Sequence, residues 1–425
     1  MKTASIPLRV VMIGGGYATL HAFRSLIGRS DAGAVAITVV SAGDCHNFHG
    51  FSGEVVAGLL PLEVTRTPLR EVLQGAEFLH GQVTRVDLAS KVVIAEPADG
   101  GAKRLLLYDE LVVACGGREP VQQVPGMAEH GFTLRAPGEF ERWLDRLDDI
   151  VIDGRPGTVV VAGGGMAGVE LAAAVADRLR AERRDNPVVL AHSGEAVVPG
   201  LRAEHPTVAA RVDAELARLG VRVVTGLAIM AVDADSAWLS DGSCIDAAAV
   251  LATTGQRPVT VPGLESLPHD STGRLVTDAR LAVAPGVWAA GDTARVAHPK
   301  TGKPVPANAL WAMKAGDHLG RSLAMSIAGE RPRRFRYRGL GQAMAFGVGR
   351  AATEMYGVPI NGMLGWVLRL GFFLRFMPQR RRAIAVLRLL TSTARRRANL
   401  AKTDRPAATA DGSFGVGANV EPAAA

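Results

Sequence analysis

The stretch LRVVMIGGGYATLHAFRSLIGR, residues 8–29, indicates the architecture of this chain. Its apolar start is typical of a buried parallel strand, and three glycines separate that strand from a helical repeat of apolar residues. A second apolar run, AVAITVVS at 34–41, follows the helical repeat. The order strand, glycine turn, helix and strand predicts the start of a βαβ unit.

The same pattern recurs as GTVVVAGGGMAGVELAAAVADRL at 157–179, followed by NPVVLAHSG at 186–194. Two copies of one supersecondary unit predict an α/β chain with two Rossmann-type dinucleotide-binding domains. For either copy alone, a generic α/β layer without a ligand is the alternative, because a lone glycine fingerprint is a weak signal.

Three further strand-like runs end in glycine turns: YDELVVACGGREP at 108–120, AAAVLATTGQRPV at 247–259 and GVWAAGDTARV at 286–296. The first two are typical of strands that close one domain and lead into the next. The third implies that the chain returns to its first domain. We therefore predict a first domain at 1–152 and 268–330, an inserted domain at 153–267, a C-terminal region at 331–395 and a disordered tail at 396–425.

The composition is globular, since 48% of the 425 residues are hydrophobic and 21% are charged. The net charge of +7 is uneven, because residues 331–425 contain 17 Lys and Arg against 4 Asp and Glu. That quarter therefore carries +13, and the first 330 residues carry about −6. An argument for a membrane or nucleic-acid partner applies to the last quarter alone.

In the first fingerprint, Gly14 allows the tight turn, and Gly15 and Gly16 let backbone N–H groups approach a pyrophosphate at the helix N-terminus. Thr19 stands where a third glycine is usual. The second fingerprint has all three glycines, Gly163, Gly165 and Gly168, and Glu170 follows on the same helix. The glycines of these two fingerprints lie at the centre of the two predicted cofactor sites.

The strand after each fingerprint lacks the acid that usually binds ribose hydroxyls. Ser41 ends the first of these strands, with Asp44 nearby as a substitute, and an ordinary Ser-Asp turn is the alternative. His192 ends the second. Without a carboxylate to repel a 2′-phosphate, that site is compatible with NADPH as well as NADH, and a surface histidine is the alternative.

Six motifs together resemble a known family: GGGYATL, DCHNFHGFSGEVVAG, YDELVVACGG, VVVAGGGMAGVELA, WAAGDTA and ALWAMKAG. They occur in the order seen in type II NADH dehydrogenases and related pyridine-nucleotide flavoprotein oxidoreductases, and the resemblance covers about residues 8–390. It implies FAD in the first domain, NADH or NADPH in the inserted domain, and hydride transfer from nicotinamide to flavin at their interface.

The resemblance also assigns residues to the two cofactors. It places Gly14, Gly16, Ala114 and Gly116 on the FAD, Asp292 on the ribityl chain, and Glu170 near nicotinamide and flavin. An exposed helix carboxylate is the alternative for Glu170. The predicted cofactor-binding set is completed by Tyr17, Ala18, Val83, Gly255 and Gly291.

The helix at 309–316 resembles the family segment that approaches the flavin and the quinone pocket. There Lys314 would add positive charge for the anionic reduced flavin. The family has glutamines where this chain has Leu310 and Lys314, which leaves a soluble electron carrier as the alternative to quinone.

His46, in the loop that faces the flavin in relatives, is the predicted proton-transfer residue, and a histidine satisfied by backbone is the alternative. No metal site is predicted, because no ligand set of known spacing surrounds it. Cys45, Cys115 and Cys244 are far apart, which argues against dithiol chemistry and for a reducing compartment. The apolar run at 10–13 is too short for a signal peptide.

The C-terminal stretch MLGWVLRLGFFLRFMPQRRRAIAVLRLLTSTARRR, residues 363–397, has no apolar run long enough to span a bilayer. Its residues Trp366, Leu370, Phe373 and Met377 recur at helical spacing between arginines. This pattern predicts a helix in an anionic membrane interface, with packing on the protein's own core or on a second subunit as alternatives.

Together these features predict a peripheral NAD(P)H dehydrogenase on the inner, cytoplasmic face of the cell membrane. It would pass electrons through FAD to a quinone without pumping protons. A redox-sensing interaction protein, active through its arginine-rich end or as a homodimer, is the hypothesis of another class. Nucleic acid is disfavoured as a partner, since no aromatic stacking series accompanies the arginines.

Overall fold

The structure, a computed structural model, describes residues 6–30 and 33–403, with side chains as far as 393. The strands are β1 (Leu8–Ile13), β2 (Val35–Ser41), β3 (Cys45–Asn47), β4 (Arg66–Pro68), β5 (Glu77–Asp87), β6 (Val92–Pro97), β7 (Arg104–Leu107), β8 (Glu110–Val113), β9 (Gly117–Arg118), β10 (Thr158–Ala162), β11 (Val188–His192), β12 (Arg222–Thr225), β13 (Ile229–Val232), β14 (Ser236–Leu239), β15 (Cys244–Ala252), β16 (Arg257–Pro258), β17 (Leu275–Val276), β18 (Ala282–Ala284), β19 (Val287–Ala289), β20 (Ala294–Arg295), β21 (Gly341–Ala345), β22 (Ala351–Met355) and β23 (Val358–Pro359). The helices are α1 (Tyr17–Ile27), α2 (Ser52–Val56), α3 (Leu69–Val72), α4 (Met127–His130), α5 (Glu139–Asp148), α6 (Met166–Ala181), α7 (Pro199–Glu204), α8 (Pro206–Leu219), α9 (Ala309–Ile327), α10 (Gly362–Phe376) and α11 (Arg380–Thr403).

An eight-stranded sheet has the order β18-β19-β8-β1-β2-β5-β6-β7. Its central strand, β1, pairs in parallel with β2 on one side and β8 on the other. The apolar residues of β1 are buried on both faces of the sheet, which explains their continuous run in the sequence. The predicted strand, glycine turn and helix at the start of the chain are confirmed.

A six-stranded sheet has the order β12-β11-β10-β15-β14-β13, and its strand β10 pairs in parallel with β11 and β15. In chain order these strands lie between β8 and β19, which are neighbours in the eight-stranded sheet. The α/β class with two dinucleotide-binding folds is therefore confirmed. The exact domain limits at 152/153 and 267/268 remain predictions.

Helices α1 and α9 pack with their backbones in close approach. A Cβ atom on Gly316 would lie 2.2 Å from the carbonyl oxygen of Ala18, and one on Gly320 would lie 2.1 Å from that of Ala22. Only glycine fits at these two positions without a shift of backbone. This contact fixes α9 against the helix that follows the first glycine turn.

The C-terminal region differs from the sequence expectation in two ways. It contains a three-stranded antiparallel sheet, β21-β22-β23, which was not predicted. Helix α11 continues to Thr403, so residues 396–403 are helical rather than part of a disordered tail. The rest of the predicted tail, 404–425, lies outside the described residues.

The prediction that one face of this region, with Trp366, Leu370, Phe373 and Met377, lies against lipid is wrong. Leu370 and Met377 are buried in the core, and Trp366 and Phe373 pack against it. The alternative, packing on the protein's own core, describes this face. The apolar side chains of α10 that are exposed lie on another face: Met363 (61% exposed), Leu364 (62%), Val367 (49%) and Leu368 (37%).

Across residues 6–30 and 33–403, no helix combines the length and the hydropathy that crossing a membrane requires.

The contact between α1 and α9 predicts opposite effects for two helical glycines. Gly320→Ala should destabilise the protein by about 1–3 kcal/mol, because the new methyl group meets backbone. Gly371→Ala in α10, where a Cβ has no neighbour within 4 Å, should stabilise it by about 0.5–1 kcal/mol through helix propensity. Urea unfolding measures both, and equal shifts of the midpoint for the two variants would contradict the close approach.

Candidate active site

In the first glycine loop, the backbone after β1 lies in close contact with the backbone after β8. Gly14 has φ +108°, and a Cβ there would lie 2.2 Å from the carbonyl oxygen of Ala114. Gly16, the N-cap of α1, faces open space and its helix has no side-chain cap. The N–H groups of the first turn are thus available to an anion, which is the geometry that a cofactor diphosphate requires.

The second loop repeats this geometry. Gly163 has φ +116°, and a Cβ there would lie 2.4 Å from the carbonyl oxygen of Thr253 at the end of β15. Gly165 caps α6 without a side-chain bond and faces open space. A Cβ on Gly168 would lie 1.8 Å from the carbonyl oxygen of Gly163, so the third glycine is obligatory here.

The first loop tolerates a larger residue at the third position. Thr19 is fully buried in α1, and its hydroxyl has no hydrogen-bond partner. The departure of Thr19 from the fingerprint is therefore absorbed by packing, while the diphosphate-binding part of the loop, Gly14 to Gly16, keeps its shape.

The strand-end residues Ser41 and His192 occupy equivalent places. A Cβ on Gly15 would lie 2.7 Å from Ser41 Oγ, and one on Gly164 would lie 2.6 Å from His192 Cγ. Each strand-end side chain thus lies directly beside its glycine loop, where a ribose is expected. The Nε2 atom of His192 is buried without a partner, which a ribose or phosphate oxygen would supply.

Other predicted cofactor residues surround the loops. Gly116 (φ +73°) and Gly255 (φ +96°) follow β8 and β15, and both have open space beside them. Gly291 (φ +77°) lies against α1, since a Cβ there would be 3.3 Å from the Ala18 methyl group.

Asp292 and Val83 lie farther out. Asp292 forms an ion pair with Arg135 at 3.3 Å, and Arg135 also pairs with Glu119. Arg135 was not singled out by sequence reasoning, since no motif marks it. Val83 lies on β5, three residues beyond the point where β5 pairs with Ser41.

The buried His46 packs against the half-buried Tyr17, with ring centroids 4.6 Å apart and ring planes nearly perpendicular. The Nδ1 atom of His46 lies 3.3 Å from the carbonyl oxygen of Gly15, while its Nε2 atom and the Tyr17 hydroxyl have no partner. Burial lowers the pKa of His46 to about 4. The imidazole is therefore neutral at pH 7. It can accept a hydrogen bond at Nε2, but it carries no additional proton that it could donate to a substrate.

The interior contains a group of three charged side chains, the Arg369 cluster, which we define as Arg369, Glu54 and Glu170. Arg369 on α10 is 2% exposed and donates to Glu54 at 2.5 Å and to Glu170. It also donates to the carbonyl oxygen of Gly50 at 2.9 Å. The Arg369 guanidinium thus links three parts of the chain: helix α10, the segment 45–56 that contains α2, and α6, which is the helix of the second fingerprint.

Glu170 accepts a second hydrogen bond from the backbone N–H of Ala345 at 3.2 Å. Its carboxyl group is 19% exposed, so it is not the surface carboxylate that was the alternative. Burial raises the pKa of Glu170 to about 7 and Glu54 adds to that shift, whereas Arg369 opposes it. A carboxyl group with this pKa can release or take up a proton at neutral pH.

Sequence reasoning missed two members of the Arg369 cluster. Glu54 lay inside a quoted motif, and Arg369 lay among the arginines of the quoted C-terminal stretch, without either being singled out. The available signal was the arginine itself, because a cation inside an apolar helical run needs a buried carboxylate.

Lys314 lies away from that cluster, in a cleft between α1, α9 and the α10–α11 junction. Its Nζ atom is 5.5 Å from the ring centre of Phe376 and 5.8 Å from that of Tyr337. Cys115 is a free thiol in the strand-end turn, and burial raises its pKa to about 12, so it carries no thiolate at neutral pH.

The sequence pattern of the pyridine nucleotide-disulphide oxidoreductase family matches residues 8–316. The chain belongs to that family. It is 27% identical to a demethylphylloquinone reductase of Synechocystis over 364 residues, which cover 83% of this chain and 88% of that protein. It is 32% identical to an NADH dehydrogenase-like protein of Mycobacterium tuberculosis over 308 residues, 67% of this chain and 72% of that protein.

The fold also matches a solved structure of NDH2 from Plasmodium falciparum in complex with NADH. The TM-score is 0.82 at 14% identity, and the match covers 91% of this chain and 98% of the other. Membership of the family implies FAD and NADH as cofactors. The two glycine loops, with their uncapped helices and unpartnered buried polar atoms, fit them.

The Arg369 cluster predicts a pH-dependent loss of stability in Arg369→Met. Without the guanidinium, two buried carboxyl groups face each other, at a cost of about 3–5 kcal/mol when both are ionised. The pKa of Glu170 is already above its usual value, so the folded state binds protons more tightly than the unfolded state and stability falls as pH rises. Arg369 lowers the pKa of Glu170, so its removal raises that pKa further, and the deficit relative to the wild type should grow as pH rises through about 7 and above.

Urea unfolding at several pH values measures this deficit. Arg381→Met is the control, because that arginine pairs with Glu71 at the surface with 68% of its side chain exposed. It should cost less than about 1 kcal/mol. A deficit for Arg369→Met that is independent of pH would contradict the electrostatic account.

Proposed function

We propose that the protein oxidises NADH and reduces a quinone, with FAD between the two substrates. The observation that carries this proposal is the pair of glycine loops of similar geometry, one in each of the two large sheets, with a buried carboxyl group of pKa about 7 on the second loop's own helix. Membership of the family and the reductase activity named for its Synechocystis relative support it.

In this proposal each loop holds one cofactor. The uncapped N–H groups of α1 bind the FAD diphosphate, and those of α6 bind the NADH diphosphate. Ser41 and His192 face the corresponding riboses. FAD, when bound, accepts a hydride from NADH and passes two electrons to the quinone. The protein supplies the binding and the orientation that bring the rings together.

Conversion of a quinone to a quinol consumes two electrons and two protons, whereas NADH supplies one hydride. One proton must therefore come from elsewhere, so that NADH, a proton and quinone give NAD⁺ and quinol. Glu170 is the residue that we assign to this proton, because burial raises the pKa of its carboxyl group to about 7, so that it can release or take up a proton at neutral pH. Arg369 and the Ala345 N–H hold its Oε1 atom in place.

Anaerobic mixing of the purified protein with NADH, followed by a short-chain quinone, tests the proposed reaction. The flavin absorbance should bleach with NADH and recover with quinone, both within seconds. NADPH in a parallel run reports on the discrimination at His192. Bleaching without recovery would remove quinone as the acceptor, and protein without flavin absorbance would overturn the whole proposal.

Glu170→Gln predicts a change in the pH profile. Wild-type turnover with quinone should fall as pH rises through about 7, where Glu170 loses its proton. The variant should be slower by about 10²-fold or more and should lose this descending limb. Glu182→Gln, at the exposed C-terminal end of the same helix, is the control, and an unchanged profile in Glu170→Gln would exclude the carboxyl group as proton donor.

We further propose that the exposed face of α10 and α11 attaches the protein to the anionic inner surface of the cell membrane. The apolar residues of α10 are continued by Ile384 (51% exposed) and Leu387 (42%) on α11. The exposed arginines Arg375, Arg380 and Arg388 accompany them. Apolar side chains beside unopposed cations suit a bilayer interface with acidic headgroups.

The double variant Leu364→Glu with Val367→Glu should reduce binding to vesicles that contain phosphatidylglycerol at least tenfold in a sedimentation assay. The matched control is Leu105→Glu with Leu107→Glu, two exposed leucines of β7 (69% and 53% exposed) outside this face. Equal loss in both would contradict the proposal. A concentration-dependent doubling of mass that only the α10 variant abolishes would assign the face to a homodimer instead.

A further inference from the structure

The cleft that contains Lys314, here called the cationic cleft, has a volume of about 350 Å³. This lies at the lower end of the range of about 300–1,000 Å³ for small-molecule pockets. Its walls are α1, α9 and the α10–α11 junction. Four cationic side chains line it: Arg24, Lys314, Arg375 and Arg380. Apolar side chains complete it: Met313, Leu374, Phe376 and Met377.

None of the four cations has an ion pair among the residues that the structure describes. Arg24 donates to the carbonyl oxygen of Pro378 at 2.7 Å, and Lys314 contacts only aromatic rings. The carboxylate in the wall, Asp317, accepts a hydrogen bond from Ser25 and pairs with Arg321 outside the cleft. The lining therefore has an excess of positive charge that no side chain of the cleft neutralises.

The histidine of the cleft, His21, does not reduce this excess of positive charge, and its lowered pKa reflects the neighbouring cations. His21 lies 6.2 Å, ring centre to ring centre, from Phe376. Burial first, and then the charges of Arg24 and Lys314, lower the pKa of His21 to about 4. The ring is thus neutral at pH 7, and it adds a polar nitrogen beside the cations without adding charge.

We propose that the cationic cleft binds an oxyanion on the electron acceptor, so that the preferred quinone is one that carries an acidic group. Arg24, Lys314 and Arg375 would hold the carboxylate or phosphate through charge-assisted hydrogen bonds. Phe376, Leu374 and Met313 provide the apolar surface for the ring. This inference rests on the proposed quinone reductase function and adds the chemical class of its acceptor.

A second source of the same oxyanion is the headgroup of an acidic phospholipid, because the cleft borders the face assigned to the membrane. The composition of the cleft favours the acceptor over a lipid headgroup. A headgroup would contact the cations alone, whereas the ring of an acceptor would also contact the aromatic and apolar side chains. The two sources make different predictions for a soluble acceptor in the absence of lipid.

The experiment compares two acceptors that differ by one charge: a naphthoquinone with a propionate side chain and its methyl ester. The alkyl linker keeps the ring potentials alike. In detergent without lipid, the KM of the acid should be at least tenfold below that of the ester. This preference should shrink as salt rises from about 50 mM to 500 mM, because the cleft is open to solvent. Equal KM values for the acid and the ester would overturn the proposal.

Variants assign the preference to the cleft. Arg24→Gln with Arg375→Gln should remove the preference for the acid while the ester KM stays within about twofold. Arg24→Lys with Arg375→Lys should retain most of it, because the charge is kept. The charge-matched control is Arg334→Gln with Arg336→Gln, two exposed arginines outside the cleft and outside the face assigned to the membrane. Loss of the preference in this control would show a general surface effect and overturn the assignment.

A binding assay separates this inference from the function on which it rests. Calorimetry with 2-naphthoate and its methyl ester uses no redox step, so it reports on the cleft even if neither quinone is turned over. Binding of the acid that depends on Arg24 and Arg375 supports the cleft as an oxyanion site for a ring compound. No binding of 2-naphthoate, together with loss of the acid preference in phosphatidylglycerol but not phosphatidylcholine vesicles, would assign the cleft to lipid.

Discussion

The structure depends on two glycine turns. Each connects a strand to a helix while its backbone contacts the backbone at the end of a neighbouring strand. Gly14 and Gly163 each lie within van der Waals reach of a carbonyl oxygen at the end of an adjacent parallel strand, and each adopts a positive φ. Any side chain there would separate the strands or rotate the helix. Because the helix N-terminus is aimed by this turn, the position of a bound diphosphate follows from it.

The repetition of this constraint explains how much could be predicted. The loops, their helices, and the strand-end places of Ser41 and His192 follow from short-range patterns, in which glycine spacing and apolar runs specify local structure. Thr19 shows how far such a pattern can be stretched. A buried threonine replaces a fingerprint glycine, because only the second loop has a carbonyl group where the side chain would be.

The Arg369 cluster could not be predicted in the same way. Its members are separated by 116 and 199 residues in the sequence, and no periodicity relates them. The helical repeat of Trp366, Leu370, Phe373 and Met377 was recognised correctly as one face, but a repeat alone does not say whether lipid or protein covers that face. The buried arginine on α10 supplies the missing information, since it needs the carboxylates of the protein's interior.

The place of Arg369 on α10 also matters for anyone who wishes to shorten the protein. Removal of residues after about 360 is the obvious route to a version without the exposed apolar helices. Such a truncation would also delete the counter-ion of Glu54 and Glu170 and uncover Gly50 and Phe48, which pack on α10. Arg369 links the exposed helix α10 to Glu170, the carboxyl group to which we assign the proton, so neither can be studied by discarding the other.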